Sequence, residues 1–107
     1  MTETKKAEIL NIVDLASYQE NAVVSSQVLR AENGNVTLFA FDEGQELSEH
    51  STPFDALVQI LDGEAEIIIS GKSFAMSAGQ SIILPADEPH AVKARAQFKM
   101  LLTMIRT

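Results

Sequence analysis

The 107-residue sequence predicts an all-β sandwich or barrel. Three observations predict it. Apolar runs alternate with period two, turn residues punctuate them at short and even spacing, and no 3.6-residue pattern persists beyond a turn or two. Such short strands bury one or both faces only by stacking into layers, and 107 residues suffice for one core, so residues 1–107 are expected to form a single domain.

From Glu8 to Tyr18 the apolar residues Ile9, Leu10, Ile12, Val13 and Leu15 hold no clean period. A short strand is expected near Ile9 to Ile12, then a turn over Asp14 to Ser17 that the Asp14 carboxylate can cap, within an N-terminal strand-and-turn segment spanning 1–22. Val23 to Ala31 is rich in β-branched residues, and Asn33-Gly34 follows as a hairpin signal, making Val36 to Phe41 the returning strand. Both faces of that strand are largely apolar, so both should meet other protein. Glu64 to Ser70 alternates Ala65, Ile67 and Ile69 against Glu64, Glu66 and Ser70, the pattern of a half-exposed strand. Asp62-Gly63, Ser70-Gly71-Lys72 and Ala78-Gly79 read as turns around it, and Ser81 to Leu84 as a short buried strand stopped by Pro85. Gln97 to Ile105 is again apolar on both sides. The methionines Met76, Met100 and Met104 read as core filler.

Composition excludes several classes. With 46% hydrophobic and 21% charged residues the chain has the make-up of a globular protein, not of a disordered one. A net charge of −7 offers no basic surface for a phosphate backbone, so no nucleic-acid partner is expected. No apolar run reaches the roughly 18 to 20 residues of a membrane span. The N-terminus lacks the apolar core of a signal peptide, so no membrane association and a cytoplasmic location are expected. The absence of cysteine removes disulfides, thiolate ligands and cysteine nucleophiles.

The chemistry concentrates in two stretches, each holding one of the two histidines. In Gly44 to Gly63 a glycine is followed after five residues by His50, and a second glycine closes the segment after L-V-Q-I-L-D. In the second stretch Gly79 is followed after five residues by Pro85, then by Pro89-His90. These stretches resemble the two motifs of the cupin superfamily, and the motif region 44–94 with its flanking strands resembles a small single-domain cupin, the conserved-barrel type called cupin 2. The resemblance implies an antiparallel jelly roll, or double-stranded β-helix, whose open mouth holds the site, commonly in a homodimer.

The resemblance also implies a metal held by two histidines and a glutamate of the first motif and a histidine of the second. Carried over position by position, His50 and His90 match a first-motif and the second-motif histidine. Thr52 stands where the other first-motif histidine belongs and Ala56 where the glutamate belongs. Two imidazoles and a hydroxyl make a poor shell, so no firm cofactor is expected beyond a weakly bound divalent transition metal on His50 and His90. A bulge at Pro53 would turn Asp55 inward beside His50 as a further ligand; otherwise Asp55 faces solvent or caps the Pro53 turn.

The candidate ligand-binding residues are therefore His50, Thr52, Phe54 and His90, with no catalytic residue assignable, since the sequence holds no paired carboxylates, serine elbow or phosphate loop. Three functions compete. The leading one is a protein that binds a small polar or anionic molecule in the barrel mouth. The second is a metal-dependent enzyme of the dioxygenase, isomerase or decarboxylase type with a reduced ligand set. The third is a non-catalytic dimeric interaction module. The strands that are apolar on both faces predict a homodimer, formed by sheet packing or N-terminal strand exchange.

Overall fold

The computed structural model describes residues 6–106. Eight strands follow one another in them: β1 (Val23–Ala31), β2 (Gly34–Phe41), β3 (Glu46–His50), β4 (Ala56–Ile69), β5 (Lys72–Ser77), β6 (Ser81–Leu84), β7 (His90–Lys93) and β8 (Phe98–Ile105). Every pairing is antiparallel. The strands make two layers that share β4: its first half lies between β8 and β6 in a sheet ordered β1-β2-β8-β4-β6, and its second half lies between β7 and β5 in a sheet ordered β3-β7-β4-β5. The fold is thus all-β, as the alternation predicts, and is the curled antiparallel jelly roll that the resemblance implies.

The device that lets one strand serve two sheets is a bulge between Ile60 and Asp62, followed by Gly63 at φ +75°. A Cβ on Gly63 would lie 1.9 Å from the Gln97 carbonyl oxygen, so only glycine permits this close pass. Asp62-Gly63 therefore bends a continuous 14-residue strand and does not end one, which corrects the expected turn at this point. Between the sheets sit Val58, Ile60, Ile67, Phe41, Phe98 and Met100, with the Phe41 and Phe98 rings stacked at 4.5 Å. Met76 is buried with them and Met104 packs against them.

Two further expectations are corrected. The β1–β2 connection turns on Glu32 and Asn33, with Ala31 opposite Gly34, so Gly34 already belongs to β2. Glycine is needed there because a Cβ would meet the Met104 carbonyl oxygen of β8 at 2.4 Å. At the N-terminus no strand forms near Ile9; the described residues make a single 3-10 turn, Ile12–Asp14, preceded by Asn11 and without a side-chain cap. Residues 1–5 of the expected N-terminal segment lie outside the described residues.

This segment covers the outer face of the β1-β2-β8-β4-β6 sheet. Ala16 is buried against Leu38 and Ala40, with Ile12, Leu15 and Tyr18 packed around them beside Val24, Leu61 and Leu101. Lys99 Nζ donates to the Val13 carbonyl at 2.6 Å, its charge lies 5.1 Å from the Tyr18 ring centre, and Tyr18 donates to the Asp62 carboxylate. Burial, reinforced by that carboxylate, pushes the Tyr18 hydroxyl far above its ordinary range. Part of the cover that β2 and β8 require on their second face is thus supplied by the chain itself. No helix among the described residues is long and apolar enough to cross a membrane.

Candidate functional site

Two loops close one end of the sandwich. One runs from His50 at the end of β3 to Ala56 at the start of β4, the other from Leu84 to His90. They are tied together twice: Asp87 N donates to the Thr52 carbonyl at 2.7 Å, and Ala86 N donates to Asp55 Oδ1 at 2.8 Å. The Asp55 side chain thus holds the second loop. Thr52 turns its hydroxyl to the Phe54 carbonyl at 3.1 Å. Both residues brace the mouth.

The histidines meet across the β3–β7 ladder, where His50 stands opposite His90 and His90 opposite Ile69. A register irregularity between Leu47 and His50 keeps both on the inner face, because Leu47 already pairs inward with Val92. His90 is buried and His50 is exposed. Their Nε2 atoms are 3.1 Å apart, with ring planes at 72°. His50 Nδ1 lies 2.8 Å from the Ser48 carbonyl, and His90 Nδ1 lies 3.3 Å from that of Glu88.

A carbonyl only accepts, so a proton on each Nδ1 satisfies the Ser48 and Glu88 carbonyls and leaves the two Nε2 lone pairs facing each other at 3.1 Å. One further proton, shared between the two Nε2 atoms, bridges that gap. Burial, and after it the charge of a protonated His50, hold the His90 pKa below its ordinary value of 6.5.

The opposite wall comes from residues that the sequence reading did not single out. Arg30, Asn35, Met104, Ala56 and Leu84 form one cross-strand row from β1 to β6. Ala56 and Leu84 belong to the core, so this row lies on the inner face of the sheet, with Asn35 half-buried and Arg30 exposed at the β1 edge. Arg106 caps the same end, its guanidinium 5.0 Å from the Phe54 ring centre, and Thr37 donates to Asn35 Oδ1 at 3.4 Å. Asn35 and Thr37 thus make an inward polar strip on β2. Asn35 and Thr37 alternate with Val36 and Leu38, but the sequence alone does not say which set faces in.

The donor set does not fit the family's metal. Ala56 has no donor atom and is buried, the Thr52 hydroxyl is committed to a carbonyl, and the Asp55 carboxylate is committed to Ala86 N. Among the described residues no group of three or more His, Cys, Asp or Glu side chains is placed to hold a metal ion. Two imidazoles fall short of the three or four protein ligands such ions usually take.

Elsewhere, a recess of about 550 Å³ opens between β5 and β6, lined by Phe74, Met76, Gln80 and Ile82 among others. It contains neither histidine and no charged group, so the histidine end of the sandwich remains the better candidate site. Glu66, read from sequence as part of a solvated face, is instead largely covered, accepting from Arg95 Nε at 2.9 Å and from the Ser73 hydroxyl.

Comparison with known proteins agrees with this architecture. A conserved protein of unknown function from Streptococcus pyogenes is 33% identical, with 100% of this chain and 96% of that one covered at a TM-score of 0.91. A cupin superfamily protein from Desulfitobacterium hafniense is 26% identical over 99% of this chain and 97% of its own, also at 0.91. A cupin 2 conserved barrel domain protein from Leptotrichia buccalis is 39% identical over 91% of this chain and 47% of its own, at 0.87. The search of curated proteins returned no match. The family model described as the cupin domain matches residues 37–106, which takes in both glycine-punctuated stretches and both histidines. The chain therefore belongs to the cupin domain family.

Proposed function

We propose that this protein binds a small anionic molecule, a compact carboxylate, in the mouth between His50 and His90 on one sheet and Arg30, Asn35 and Arg106 on the other. The observation that carries the reading is the histidine pair: one buried and one exposed imidazole with Nε2 atoms 3.1 Å apart, a gap that one shared proton bridges, which would set positive charge beside an entering anion. Two guanidinium side chains near the same opening favour negative charge in a chain that is otherwise acidic. Phe54 supplies an apolar surface beside them.

Calorimetric titration with malonate tests this. Saturable binding is expected, weakened about tenfold or more by His90→Gln and by Arg106→Ala, with the neutral malonamide binding no better than background. Equal affinity for malonate and malonamide, or no effect of either substitution, would remove the anion reading. Metal analysis of untreated protein separates the rival enzyme: near-stoichiometric iron, manganese, nickel or zinc would favour metal-dependent chemistry at His50 and His90.

A further inference from the structure

Four strands end the two sheets, and three of them are guarded against a further neighbour. β1 carries a bulge between Gln27 and Leu29, β3 is short, holds Glu46 and Glu49 and loses register before His50, and β6 is stopped by Pro85. Bulges, charges, brevity and proline are the devices by which edge strands resist pairing with other chains. On β5 only Lys72, at the hairpin end, is of this kind. β5 pairs with β4 residue for residue from Lys72 to Ser77 without a shift, and among the described residues no strand lies on its other side.

The hairpin fixes which backbone groups of β5 are free. Ser70 and Gly71 form a two-residue loop at φ +48° and +81°, so Lys72 exchanges both ladder bonds with Ile69. Alternation along an antiparallel ladder then gives Phe74 and Met76 to β4 and turns the N–H and C=O groups of Ser73, Ala75 and Ser77 away from it. Ser77 has the same phase: its N–H donates to Gln80 Oε1 at 2.9 Å, and its carbonyl accepts from Gln80 N at 3.1 Å. Ser73 and Ala75, both exposed, keep two donors and two acceptors without a partner among the described residues, about 6.8 Å apart along the strand. An extended polypeptide carries N–H and C=O groups in the same alternation at the same spacing, which is the basis of strand addition to a sheet edge.

Side chains fix the rest of the partner. Phe74 and Met76 point into the sandwich and, with Gln80 and Ile82, line the recess of about 550 Å³ that opens between β5 and β6. On a strand added beside β5, the residue opposite Phe74 points the same way as Phe74 and enters this recess. Its two neighbours, opposite Ser73 and Ala75, lie on the outer face, where β4 presents Glu64 and Glu66. Ser73 and Ala75 are small enough for a lysine to reach across them toward those carboxylates, and a net charge of −7 favours a basic partner over an acidic one. A second copy fits poorly. With Phe74 opposite Phe74, Lys72 of each copy stands opposite the buried Met76 of the other, and two chains of charge −7 meet. We infer that the open edge of β5 docks an extended basic segment of a different polypeptide, hydrogen-bonded at Ser73 and Ala75, with one apolar side chain seated over Phe74, Met76 and Ile82. Neither histidine lines this recess, so the docking edge is separate from the anion mouth.

Nuclear magnetic resonance of the isotope-labelled full chain tests this. In the protein alone, the amide hydrogens of Ser73 and Ala75 are expected to exchange with solvent at least about tenfold faster than those of Phe74 and Met76. The end-blocked peptide Val-Lys-Leu-Lys-Val, added to about 2 mM, should bind saturably, shift the amide resonances of β5 and of Gln80 to Ile82, and slow exchange at Ser73 and Ala75. The same peptide N-methylated at both lysines keeps every side chain, loses the two N–H donors, and should not bind. Ala75→Pro removes an N–H that β4 does not use, so it should melt close to the wild type while binding the peptide about tenfold or more weakly. The N-methylated peptide decides the question whether or not Ala75→Pro folds. Equal binding of the methylated peptide, shifts centred on His50, His90 and Arg106, or no saturation overturns the inference. Exchange at Ser73 and Ala75 that slows as the protein alone is concentrated overturns it in favour of a second copy.

Discussion

His90 is a buried base whose neighbour is another base, and its protonation is opposed from both sides: burial disfavours the charged ring, and a proton on His50 repels a second. The sign of the consequence follows from linkage. A histidine whose folded pKa lies below its unfolded value of 6.5 binds more protons in the unfolded chain over the interval between the two values. Stability is therefore full above about pH 6.5 and declines as the pH falls toward the folded pKa, by at most about 1.4 kcal/mol per pH unit for one proton. The lowered carboxylates act at more acid pH: Asp42 is held down by the Asn21 backbone N–H and Gln97, Glu66 by Ser73 and Arg95. Urea midpoints measured from about pH 7.5 to 5 should fall in the wild type and stay flatter in His90→Gln. A decline of equal steepness in the variant would assign the slope to other groups.

At the scale of elements, the N-terminal segment and the β2 and β8 strands explain each other. Sequence alternation shows Val36, Leu38 and Ala40 on one face of β2 and Thr37, Phe39 and Phe41 on the other, but both sets are largely apolar. Only the register with β8, where Phe41 meets Phe98 and Leu38 meets Leu101, separates the barrel interior from the covered outer face. For the same reason the sequence does not single out Asn35 and Arg30, whereas glycine and proline punctuation marks His50 and His90 independently of the strand's face. Gly63 and Gly34 were legible as necessary glycines but not in their roles, because a close pass to Gln97 or Met104 involves chain distant in sequence. Lys99 is the polar pin of the N-terminal element, bonding Val13 with its ammonium over the Tyr18 ring. Lys99→Met keeps the aliphatic stem but leaves that carbonyl unpaired, at a cost of about 1 to 2 kcal/mol and hence a melting temperature lower by roughly 4 to 16 °C. Limited proteolysis should then cut within residues 6–18 sooner. An unchanged melting curve and digestion pattern would show that the apolar contacts of Ile12, Leu15 and Ala16 hold the segment unaided.

On the scale of the whole molecule, two facts pull against each other. The outward row Leu29, Val36, Thr103, Leu57 and Ile83 of the β1-β2-β8-β4-β6 sheet carries no charge and favours the homodimer expected from sequence, whereas each copy carries a net charge of −7, so bringing two together builds a body of twice that charge. With principal extents of 40 × 35 × 23 Å, the charges of one copy lie within a screening length of the other at low salt, when that length is about 30 Å near 10 mM, and mostly beyond it near 150 mM, when it is about 8 Å. That row contains no ion pair that salt could weaken. Added salt should therefore tighten the dimer, by several-fold between about 10 and 150 mM, in equilibrium sedimentation of the wild-type chain. This sign is opposite to that of an interface held by surface ion pairs, in which a cation such as Arg95 of one copy met the acidic surface of the other, because screening weakens such pairs. Dissociation promoted by salt would thus move the contact off the Leu29–Ile83 row and onto the charged rim, even if the chain proved dimeric in every condition.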